Sequence, residues 1–416
     1  MNKEIVIIGG GIIGLCSAYY LHKEGHKVTV IDKSDITKGA SFVNAGYITP
    51  SHLIPLSSPG IITKGLKWMF NSSSPFYVKP RLDMDFLKWA WAFKRSATAF
   101  KVEKAIPVIK DINLLGRKLY EDIKTSDAYD FHYEHKGLLM YYQTEKAGEE
   151  EWTVGQRGIL EGFDVKHLSK DEVKAYEPDL DLNIKGAIYY GCDAHMTPQE
   201  FMKKIHAFLK SQGVTFYTNE SVEDIIISGN KITEIKSSIR TLKADEFILA
   251  AGSWSGLLAK KLNLKLSIQA GKGYRINVER PTGITMPAIL IERKVAVTPM
   301  QGFTRFAGTM ELGGINHKIR TNRVEAIANA AESYYKDLKI ESSEITNAAC
   351  GLRPCSPDGL PYIGKPEAYK NLTIASGHAM MGWSLGPATG KLVSEIISEK
   401  QTSLDMTPFH PDRKFN

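Results

Sequence analysis

The chain opens with three segments whose hydrophobic patterns differ. Residues 3–8 (KEIVII) form a short apolar, β-branched run, which is typical of a strand buried on both faces. After a glycine-rich stretch, residues 13–23 have a helical pattern that ends at Gly25, and residues 27–31 (KVTVI) predict a second strand. Together these segments predict one βαβ unit of about thirty residues.

Beyond this unit, the pattern alternates between helical stretches and strand-like runs, and it shows no internal repeat. Helical patterns come at 86–100, 108–123, 198–212, 324–337 and 387–399. Thr197 and Pro198 suit the N-cap and first position of the helix that begins at 198. Strand-like runs come at 137–142, 186–190, 215–217, 222–227, 232–237, 246–250 and 372–376, with a Gly229-Asn230 turn in the 222–237 hairpin. Residues 264–278 and 288–308 predict strands of a second sheet.

The length and composition indicate an ordinary globular protein. A chain of 416 residues exceeds one simple core, so two domains or one large interwoven domain are expected. Hydrophobic residues make up 43% of the chain and charged residues 24%. No uninterrupted apolar run reaches the roughly eighteen residues of a transmembrane helix, and the apolar start lacks the basic segment of a signal peptide. We therefore expect a cytoplasmic protein.

The cysteine spacing gives no sign of a metal centre. The four cysteines are Cys16, Cys192, Cys350 and Cys355, and none belongs to a C-x-x-C pair. Neither a zinc nor an iron–sulfur site is predicted, so the metal prediction is none. Reduced thiols are expected.

The net charge of +7 is concentrated in one part of the chain. Residues 60–118 hold twelve Lys or Arg against four Asp or Glu, together with Trp68, Trp89 and Trp91. Such a segment is compatible with peripheral contact at the inner face of the cell membrane. The preferred alternative is an amphipathic helix with a solvated basic face and tryptophans in the core. No motif supports nucleic-acid binding.

The glycines after the first strand have the spacing of a dinucleotide-binding turn. Gly9, Gly11 and Gly14 match G-x-G-x-x-G between a strand and a helix, where a pyrophosphate meets free N–H groups and the positive helix end. Asp32 ends the second strand and would accept a hydrogen bond from the adenosine ribose, which argues against NADP. This pattern alone does not separate NAD from FAD.

Two further glycine-rich segments favour FAD. Residues 39–46 (GASFVNAG) suit a loop beside a long flat cofactor. Residues 376–382 (SGHAMMG) lead into a helix whose positive N-terminus would stabilise reduced flavin. The two ends of the chain are therefore expected to meet around one cofactor.

Taken together, the motifs resemble those of the D-amino-acid oxidase superfamily of FAD-dependent oxidoreductases. The resemblance covers nearly the whole chain and is weakest from about residue 70 to 185. Within the superfamily, KGYRINV at 272–278 and the loop at 41–60 are most similar to the D-amino-acid dehydrogenase small-subunit branch. The motifs that carry it are GGGIIG with Asp32, GASFVNAG, AAGSW at 250–254, GLRPCSPDGLPYIG at 351–364, and GHAMMGW with GPATG.

The resemblance implies an α/β fold in which a Rossmann-like FAD-binding domain of the GR2 type is interwoven with an α+β substrate domain built on a mixed sheet. The FAD-binding domain is predicted at 1–55, 190–262 and 345–416. The substrate domain is predicted at 56–189 and 263–344.

The cofactor is predicted to be FAD, bound without a covalent link, although attachment through Cys350 or Cys355 stays an alternative. Val222 would contact the adenine through its backbone, and the AAG segment would line the pyrophosphate. His378 is expected to shape the C-terminal turn. The predicted FAD-binding residues are Gly9, Gly11, Ile12, Ile13, Gly14, Asp32, Lys33, Ala40, Ser41, Asn44, Ala45, Gly46, Val222, Ala250, Ala251, Gly252, Trp254, Arg353, Gly377, His378, Met380, Met381, Gly382 and Trp383.

Three residues are candidates for the substrate. By resemblance, Arg353 would grip the substrate carboxylate, and its planar fork suits a bidentate contact; the alternative is that it braces the turn around Pro354. Tyr274 would orient the carboxylate or amine, unless it only packs in the core. His52 is a candidate polar pocket residue, against a solvated loop histidine.

The resemblance implies FAD-dependent oxidative deamination of a D-amino acid to a 2-oxo acid and ammonia, by hydride transfer from Cα to flavin N5. Electrons would pass to a quinone or another respiratory acceptor, and oxidase activity with dioxygen stays an alternative. The substrate alternative is a secondary amino acid such as D-hydroxyproline, proline or sarcosine, or glycine. A flavin-binding structural subunit and an NAD-only dehydrogenase are the rival functions.

Overall fold

The computed structural model describes residues 2–60, 76–79, 81, 83–126 and 129–415. Part of the basic segment predicted at residues 60–118 lies outside these residues, and so does Trp68. The two other tryptophans of that segment differ from each other. Trp89 is buried and donates from its indole N–H to the carbonyl of Cys355 at 2.9 Å, whereas Trp91 is exposed. The buried Trp89 therefore fits the amphipathic helix with tryptophans in the core, whereas the exposed Trp91 does not fit it.

The described strands are numbered β1 to β21 in chain order. Most match the predicted runs to within a few residues, and the hairpin turn is made by Gly229 with a φ of +60°. The strands are β1 (Glu4–Ile8), β2 (Lys27–Ile31), β3 (Tyr47–Ile48), β4 (Phe76–Val78), β5 (Tyr133–Glu134), β6 (Leu138–Tyr142), β7 (Val165–Ser169), β8 (Gly186–Tyr190), β9 (Ala194–Met196), β10 (Thr215–Tyr217), β11 (Val222–Ser228), β12 (Lys231–Ser237), β13 (Thr241–Leu242), β14 (Glu246–Leu249), β15 (Gln269–Val278), β16 (Ala288–Leu290), β17 (Val295–Met300), β18 (Phe303–Leu312), β19 (Ala349–Cys355), β20 (Tyr362–Gly364) and β21 (Leu372–Ser376).

The described helices are numbered α1 to α10 in the same way. The pattern predicted at 108–123 is part of a longer helix that continues through Pro107. Thr197 does occupy the N-cap of the helix that begins at Pro198, but its side chain makes no capping bond. The helices are α1 (Ile12–Lys23), α2 (Met84–Ser96), α3 (Ala99–Thr125), α4 (Glu145–Leu160), α5 (Lys170–Val173), α6 (Pro198–Ser211), α7 (Ser255–Lys261), α8 (Thr321–Tyr334), α9 (Ser342–Thr346) and α10 (Gly386–Ile397), with 3₁₀ turns at Gly252–Trp254 and Thr407–Phe409.

A six-stranded sheet contains both ends of the chain. Its order is β10-β2-β1-β14-β21-β20, and all its pairs are parallel except β20 with β21. The central strands are almost fully buried because helices cover the sheet, as expected for parallel strands. Because parallel strands end at one edge, the segments after β1, β2 and β14 lie close together there.

A nine-stranded mixed sheet forms the second large layer. Its order is β19-β15-β18-β17-β16-β6-β8-β7, and β4 pairs with β18. The β16–β6 and β18–β4 pairs are parallel and the others antiparallel. One face packs Ile276 and Phe306 against Ile327 of α8 in a continuous hydrophobic core. The side chains of Arg305 and Arg353 lie on the other face.

Two three-stranded antiparallel sheets complete the described strands. One has the order β11-β12-β13, and the other has the order β3-β9-β5. In the second of these, β9 lies between strands from distant parts of the sequence, because it pairs with β3 on one side and β5 on the other.

Strand pairing largely follows the two predicted sets of segments, with differences at β19 and at β5, which pairs with β9 of the other set. All strands of the six-stranded sheet come from the segments predicted for FAD binding. The residues of β19 fall within the same predicted segments, yet the strand pairs with β15 in the nine-stranded sheet from Gln269↔Cys355 to Arg275↔Ala349. The domain boundaries otherwise stay a prediction. Within the described residues, no helix has the length and hydropathy needed to cross a bilayer.

Candidate active site

One large cavity is lined by residues of both large sheets. Its volume is about 1310 Å³, and its wall contains the segments after β1, β2 and β14 together with residues of β15, β18 and β19. The glycine turn after β1 and the turn that precedes α10 both reach it. The two ends of the chain therefore meet at one site.

The three glycines of the amino-terminal turn have different surroundings. A Cβ on Gly9, whose φ is +112°, would lie 2.4 Å from the carbonyl oxygen of Ala250. A Cβ on Gly14 would lie 1.9 Å from the carbonyl oxygen of Gly9, so only glycine lets α1 pack this closely. Gly11 has more space, since its Cβ would meet only Ser41 Oγ at 3.2 Å. These are the turn, packing and approach positions of a dinucleotide site.

Asp32 and Ser41 hold the turn from the cavity side. The Asp32 carboxylate accepts from the backbone N–H of Gly10 at 2.7 Å and from the N–H and hydroxyl of Ser34, both at 2.7 Å. Ser41 Oγ accepts from the N–H of Ile12 at 3.0 Å, the first residue of α1. The Asp32 carboxylate can accept about four hydrogen bonds, so capacity for a ribose hydroxyl remains.

The loop at 39–46 is held in place by Arg305, a residue that the sequence motifs do not indicate. The buried guanidinium donates to the Asn44 carbonyl at 2.5 Å, to Asn277 Oδ1 at 3.0 Å and to Gln199 Oε1 at 2.7 Å. Burial lowers the pKa of Arg305 to about 9. These contacts join the nine-stranded sheet, the loop and α6. Nothing in the local sequence around Arg305 indicates them, because all three partners are distant along the chain.

A cation and two rings line the cavity beside Gly252. Lys33 Nζ lies 3.0 Å from the centre of the Trp254 ring, and Trp254 stacks on His317 with ring centres 5.9 Å apart. Burial lowers the pKa of Lys33. Val222 lines the same cavity. A flat, partly cationic wall of this kind suits an aromatic base or a phosphate.

The carboxyl-terminal turn is bonded directly to β19. The N–H of Ala379 donates to the Pro354 carbonyl at 2.8 Å, and the N–H of Met381 donates to the His378 carbonyl at 2.9 Å. The buried His378 ring is 2.9 Å from Thr389 Oγ1 in α10, and burial lowers its pKa to about 3. A neutral ring bonded to α10 fits the predicted role of shaping the turn.

Three of the predicted FAD-binding glycines do not line the cavity. Gly14 is covered by the Gly9 carbonyl. A Cβ on Gly46 would lie 2.3 Å from the Met196 carbonyl oxygen, and one on Gly377 would lie 2.7 Å from the Tyr362 ring. Their role is backbone packing. The other predicted FAD-binding residues all line the cavity, although the Trp383 indole packs in the core against Tyr120 and Phe201.

Arg353 lies on β19 with its guanidinium in the cavity wall. Nη1 donates to the carbonyl of Thr309 at 2.8 Å, and a Cβ on Gly273 would lie 2.4 Å from Nη2, so the absence of a side chain there makes room for the guanidinium. Burial lowers the pKa of Arg353. No carboxylate among the described residues forms an ion pair with it. Four of its five N–H donors are left for a ligand.

Thr309 places its carbonyl beside Arg353 through a β-bulge. The register of β18 against β15 shifts between Lys272 and Tyr274, and Thr309 is the extra residue, with a φ of +62°. This conformation is costly for a β-branched residue. Thr309 lines the cavity, and its buried Oγ1 has no hydrogen-bond partner among the described residues. No sequence pattern indicates this residue.

Tyr274 is placed differently from the sequence expectation. Its hydroxyl donates to Glu311 Oε2 at 2.9 Å. Tyr274 pairs with Cys350 and Gly271 pairs with Arg353, so strand alternation puts the Tyr274 side chain on the face opposite Arg353. The side chain packs there in the hydrophobic core. Tyr274 is also among the residues that line the cavity, but the position of its side chain and hydroxyl favours the core-packing alternative over contact with the substrate.

His52 lines the cavity and is bonded to a buried acid through Ser51. Ser51 Oγ lies 3.3 Å from His52 Nδ1 and donates to Asp193 Oδ2 at 2.5 Å. With its hydrogen on the acid, Ser51 Oγ can accept the proton of His52 Nδ1, which leaves Nε2 as an acceptor. Burial lowers the pKa of His52 to about 4, so the ring is neutral at pH 7. A solvated loop histidine does not describe this position.

The two cysteines considered for covalent attachment are both free. Cys355 is completely buried, and burial raises the pKa of its thiol to about 12. Cys350 faces the Tyr274 side of the sheet, with its thiol 3.5 Å from the His317 carbonyl. Cys355 lies on the same face of β19 as Arg353 and interacts electrostatically with its guanidinium, whereas Cys350 is the one of the two that lines the cavity.

The residues of this cavity fit FAD. The glycine turn opens α1 toward the cavity, and the N-cap residue Gly11 brings no side chain to block it. Asp32 stands at the end of β2, and the cavity continues past the loop at 39–46 to the carboxyl-terminal turn. A pyrophosphate, a ribose and an extended ring system each find matching groups along this wall.

Comparison with known proteins agrees with this geometry. A family model described as DAO, FAD dependent oxidoreductase, matches residues 4–396. D-amino acid dehydrogenase of Helicobacter pylori is 32% identical over 402 residues, which is 96% of each chain, and that of Granulibacter bethesdensis is 30% identical over 97% of each chain. Glycine oxidase from Geobacillus kaustophilus has a TM-score of 0.78 at 22% identity and covers 99% of both chains. L-proline dehydrogenase from P. horikoshii has a TM-score of 0.73 at 21% identity, with 99% of this chain and 97% of that chain covered.

The sequence relatives and the solved structures carry different conclusions. At identities below 25%, the structures show the fold, and they confirm the predicted α/β class with a Rossmann-like domain and a mixed-sheet domain. The family match confirms that the cofactor is FAD and that the protein is an enzyme. From its motifs, its cavity and these matches, the chain belongs to the DAO family of FAD-dependent oxidoreductases.

Proposed function

We propose that this enzyme oxidises D-amino acids to 2-oxo acids and ammonia. The proposal rests on Arg353, a half-buried cation in the cavity wall that has no acid partner among the described residues. A guanidinium that is largely shielded from water and has no acid partner is costly unless a ligand compensates it. A substrate carboxylate is the group that matches its planar fork. The two D-amino acid dehydrogenases at 30–32% identity over nearly the whole chain support this substrate class.

When bound, FAD supplies the two-electron acceptor for the substrate Cα–H bond. The residues of the chain then have to bind and orient the amino acid, and to limit water in the cavity. Arg353 holds the carboxylate at the Thr309 bulge. Gly273, directly under the guanidinium, keeps the space that the bidentate contact requires.

His52 is proposed to hold the substrate amine. Asp193 and Ser51 bias its ring so that Nε2 accepts a hydrogen bond, and the neutral ring does not repel an amine. The amine loses its proton to water before oxidation, and the resulting imino acid is hydrolysed by water. No further general base is needed, so positioning dominates the contribution of the protein.

The anchoring role of Arg353 is tested in two ways. The guanidinium is removed from the enzyme by substitution, and the carboxylate is removed from the substrate by the use of an amide. In Arg353→Ala we expect kcat/KM for D-alanine to fall about 100-fold, mainly through KM, because a charged hydrogen bond to the substrate carboxylate is lost. Wild type should prefer D-alanine over D-alaninamide, and R353A should lose that preference. Arg280→Ala, which removes an arginine that does not line the cavity, is the control. An R353A enzyme that binds FAD normally and still discriminates against the amide would refute the proposal.

The substrate class is tested by anaerobic bleaching of the bound flavin. We expect D-alanine and other primary D-amino acids to bleach the flavin faster than D-proline, the hydroxyprolines, sarcosine, glycine or the L-enantiomers. Faster bleaching by a secondary amine would replace the proposal by the secondary-amine alternative. The same sample tests non-covalent binding, since acid precipitation should then release the flavin.

We further propose that electrons pass to a quinone at an anionic membrane surface. On α2, Met84, Leu87 and Trp91 lie on one helical face and are 66%, 47% and 61% exposed. Lys88 and Lys94 flank them, and Lys94 Nζ lies 5.7 Å from the Trp91 ring. Exposed apolar side chains among cations are typical of a surface that binds anionic lipid.

This second proposal is tested with vesicles of phosphatidylglycerol or phosphatidylcholine. We expect binding to the anionic vesicles, faster reduction of a quinone analogue there, and little peroxide formation in air. The double variant L87S/W91S should lose the vesicle binding, whereas Leu160→Ser, at another exposed leucine, should retain it. Equal binding of both variants would exclude α2 as the contact surface.

A further inference from the structure

A second cluster of ligand-type side chains lies outside the cavity. His132, Glu134 and His195 come together at the small β3-β9-β5 sheet, and none of them lines the cavity of the active site. In the sequence, His195 is far from the other two, so their spacing does not suggest a site. The missing C-x-x-C pair speaks against a cysteine-ligated metal centre, whereas this cluster offers histidine and carboxylate ligands.

The sheet register brings the three side chains to one face. Glu134 pairs directly with His195 across β5 and β9. His132 precedes Glu134 by two residues, so it shares the same face by strand alternation. His132 Nε2 lies 3.7 Å from Glu134 Oε1, and His195 Nε2 lies 3.5 Å from Glu134 Oε2. All three ligand atoms lie within 4.8 Å of one another.

One of the two histidine rings, that of His132, is held as metal-ligating rings commonly are. His132 Nδ1 is 2.8 Å from Thr197 Oγ1, and this bond can hold the ring with Nε2 toward Glu134. His195 is 0% exposed, and neither of its ring nitrogens has a hydrogen-bond partner among the described residues. A fully buried imidazole with both nitrogens unused indicates a missing partner.

We infer that His132, Glu134 and His195 bind a divalent transition-metal ion of the Zn²⁺ type. Two imidazoles and one carboxylate are a donor set that such ions prefer. Glu134 is 34% exposed on its side chain, so an ion can enter from solvent and keep a water as its fourth ligand. The ligands must approach by up to about 1.5 Å, since donors around tetrahedral Zn²⁺ lie about 3.3–3.5 Å apart.

The site would have a structural effect on this enzyme. The ion would tie β5 to β9, and β9 is paired with β3, which leads into the loop that carries His52. Lys136 is the competitor, because its Nζ lies 2.7 Å from Glu134 Oε2. The ion and Lys136 therefore share the same carboxylate, and removal of the lysine should favour the ion.

The experiment uses the FAD-loaded enzyme, stripped with chelator and titrated with Zn²⁺ or Co²⁺ alone. We expect one ion per chain, visible absorption bands of tetrahedral Co²⁺, and a higher unfolding temperature with Zn²⁺. Glu134→Gln and His132→Asn should weaken Zn²⁺ binding at least tenfold, and Lys136→Gln should strengthen it. His135→Gln is the matched control, because this neighbouring histidine is directed to Glu121, with its Nδ1 3.4 Å from Oε1.

The substituted residues are buried to different extents, so the loss of Zn²⁺ binding can be distinguished from misfolding. His195→Gln changes a fully buried residue, whereas Glu134 is at the rim, and flavin content checks the fold of each variant. Wild type that takes up no Zn²⁺ or Co²⁺, or equal binding by E134Q and H135Q, would overturn the inference. Neither outcome depends on the substrate of the active site.

Discussion

At the scale of single residues, Thr309 is the position where local strain and an unused polar group coincide. Its φ of +62° aims the carbonyl at Arg353, while the buried hydroxyl has no partner among the described residues. Strain of this kind persists where the surrounding structure enforces it and is often linked to a functional site. We expect the hydroxyl to contact the bound substrate.

The variant Thr309→Val tests this contact, because valine keeps the shape and the backbone strain but removes the hydroxyl. Without substrate, the free energy of unfolding should be unchanged or higher by about 1 kcal/mol, since an unsatisfied buried hydroxyl is lost. With D-alanine, kcat/KM should fall about tenfold. Thr309→Ser retains the hydroxyl and should behave as wild type in kinetics. Wild-type kinetics in T309V would contradict the assignment.

Two histidines, the buried His378 and the half-buried His52, predict how stability depends on pH. The pKa of His378 is about 3 and that of His52 about 4, both below the usual value because burial disfavours the charged ring. Below the ordinary histidine pKa of about 6.5, the unfolded chain takes up protons that the folded chain does not. The contribution of these neutral rings to the free energy of unfolding is therefore fully present above that pH, and it is lost as the pH decreases toward 4.

This dependence is measured by urea unfolding between about pH 7 and pH 5. Each buried ring should contribute a slope of up to about 1.4 kcal/mol per pH unit. His378→Asn should reduce the slope of the free energy of unfolding against pH by the contribution of one histidine. This holds whether or not the substitution changes the free energy of unfolding at pH 7. An unaltered slope in H378N would show that the ring is protonated in the folded protein.

Among single residues, those defined by their sequence neighbours could be predicted. Gly9, Gly11 and Asp32 belong to one contiguous βαβ unit, so local spacing located them. Arg305 and Thr309 could not be found in this way, because one acts through partners far along the chain and the other through a bulge in strand pairing. Tyr274 was ambiguous for a related reason, since the sequence does not say which face of β15 meets the cavity.

At the scale of elements, the contact between α1 and α10 is set by glycines. A Cβ on Gly390 would lie 2.4 Å from the backbone of Cys16 in α1, and one on Gly386 would lie 2.7 Å from Ile12 Cγ1. This close approach keeps the N-terminus of α1, which opens on the cavity, next to the helix that follows the carboxyl-terminal turn.

The substitution Gly390→Ala tests this contact. In a helix with free space, alanine would stabilise by about 1 kcal/mol. Here we expect the opposite sign, a loss of about 1–3 kcal/mol in the free energy of unfolding, with weaker FAD binding, because α1 must shift. Gly256→Ala in α7 is the matched control, since its nearest neighbour would be at 3.4 Å. Equal effects of the two substitutions would contradict the packing argument.

Element boundaries were predictable where hydrophobic period and turn residues agree, as at α10 and the β11–β12 hairpin. They were less so at α3, where Pro107 hides the continuity of a helix that runs over Ala99–Thr125. The assignment of β19 differs because a strand's partner is decided by tertiary pairing. Its sequence neighbours belong to the six-stranded sheet, whereas its hydrogen bonds go to β15.

At the scale of the whole molecule, a cavity of about 1310 Å³ between the two large sheets predicts that FAD supports the fold. A ligand that binds only the folded chain stabilises it by about 2.7 kcal/mol at a concentration of 100 times Kd. The apoprotein should therefore unfold at a lower temperature and recover on addition of FAD. NADP⁺, whose 2′-phosphate would meet Asp32, should not restore it. An unfolding temperature independent of FAD would contradict this prediction.

The global arrangement was predictable only through the resemblance. Periodicity identified two kinds of sheet, but the order of nine strands in the second sheet depends on long-range pairs such as β16 with β6. The tryptophans of the basic segment show the same limit: Trp89 and Trp91 are two positions apart, yet one is buried and the other exposed. Composition describes the segment and not the direction of each side chain.

The position of β19 also restricts how this enzyme can be rebuilt. The strand that bears Arg353 belongs to one sheet and the next strand belongs to the other, and the Pro354 carbonyl accepts from the N–H of Ala379 in the turn after β21. A chimera that imports the specificity of a relative would have to exchange β19 with β15 and β18, and would need its splice between Cys355 and Tyr362. A crossover between β15 and β19 would instead separate the carboxylate anchor from the two strands that surround it.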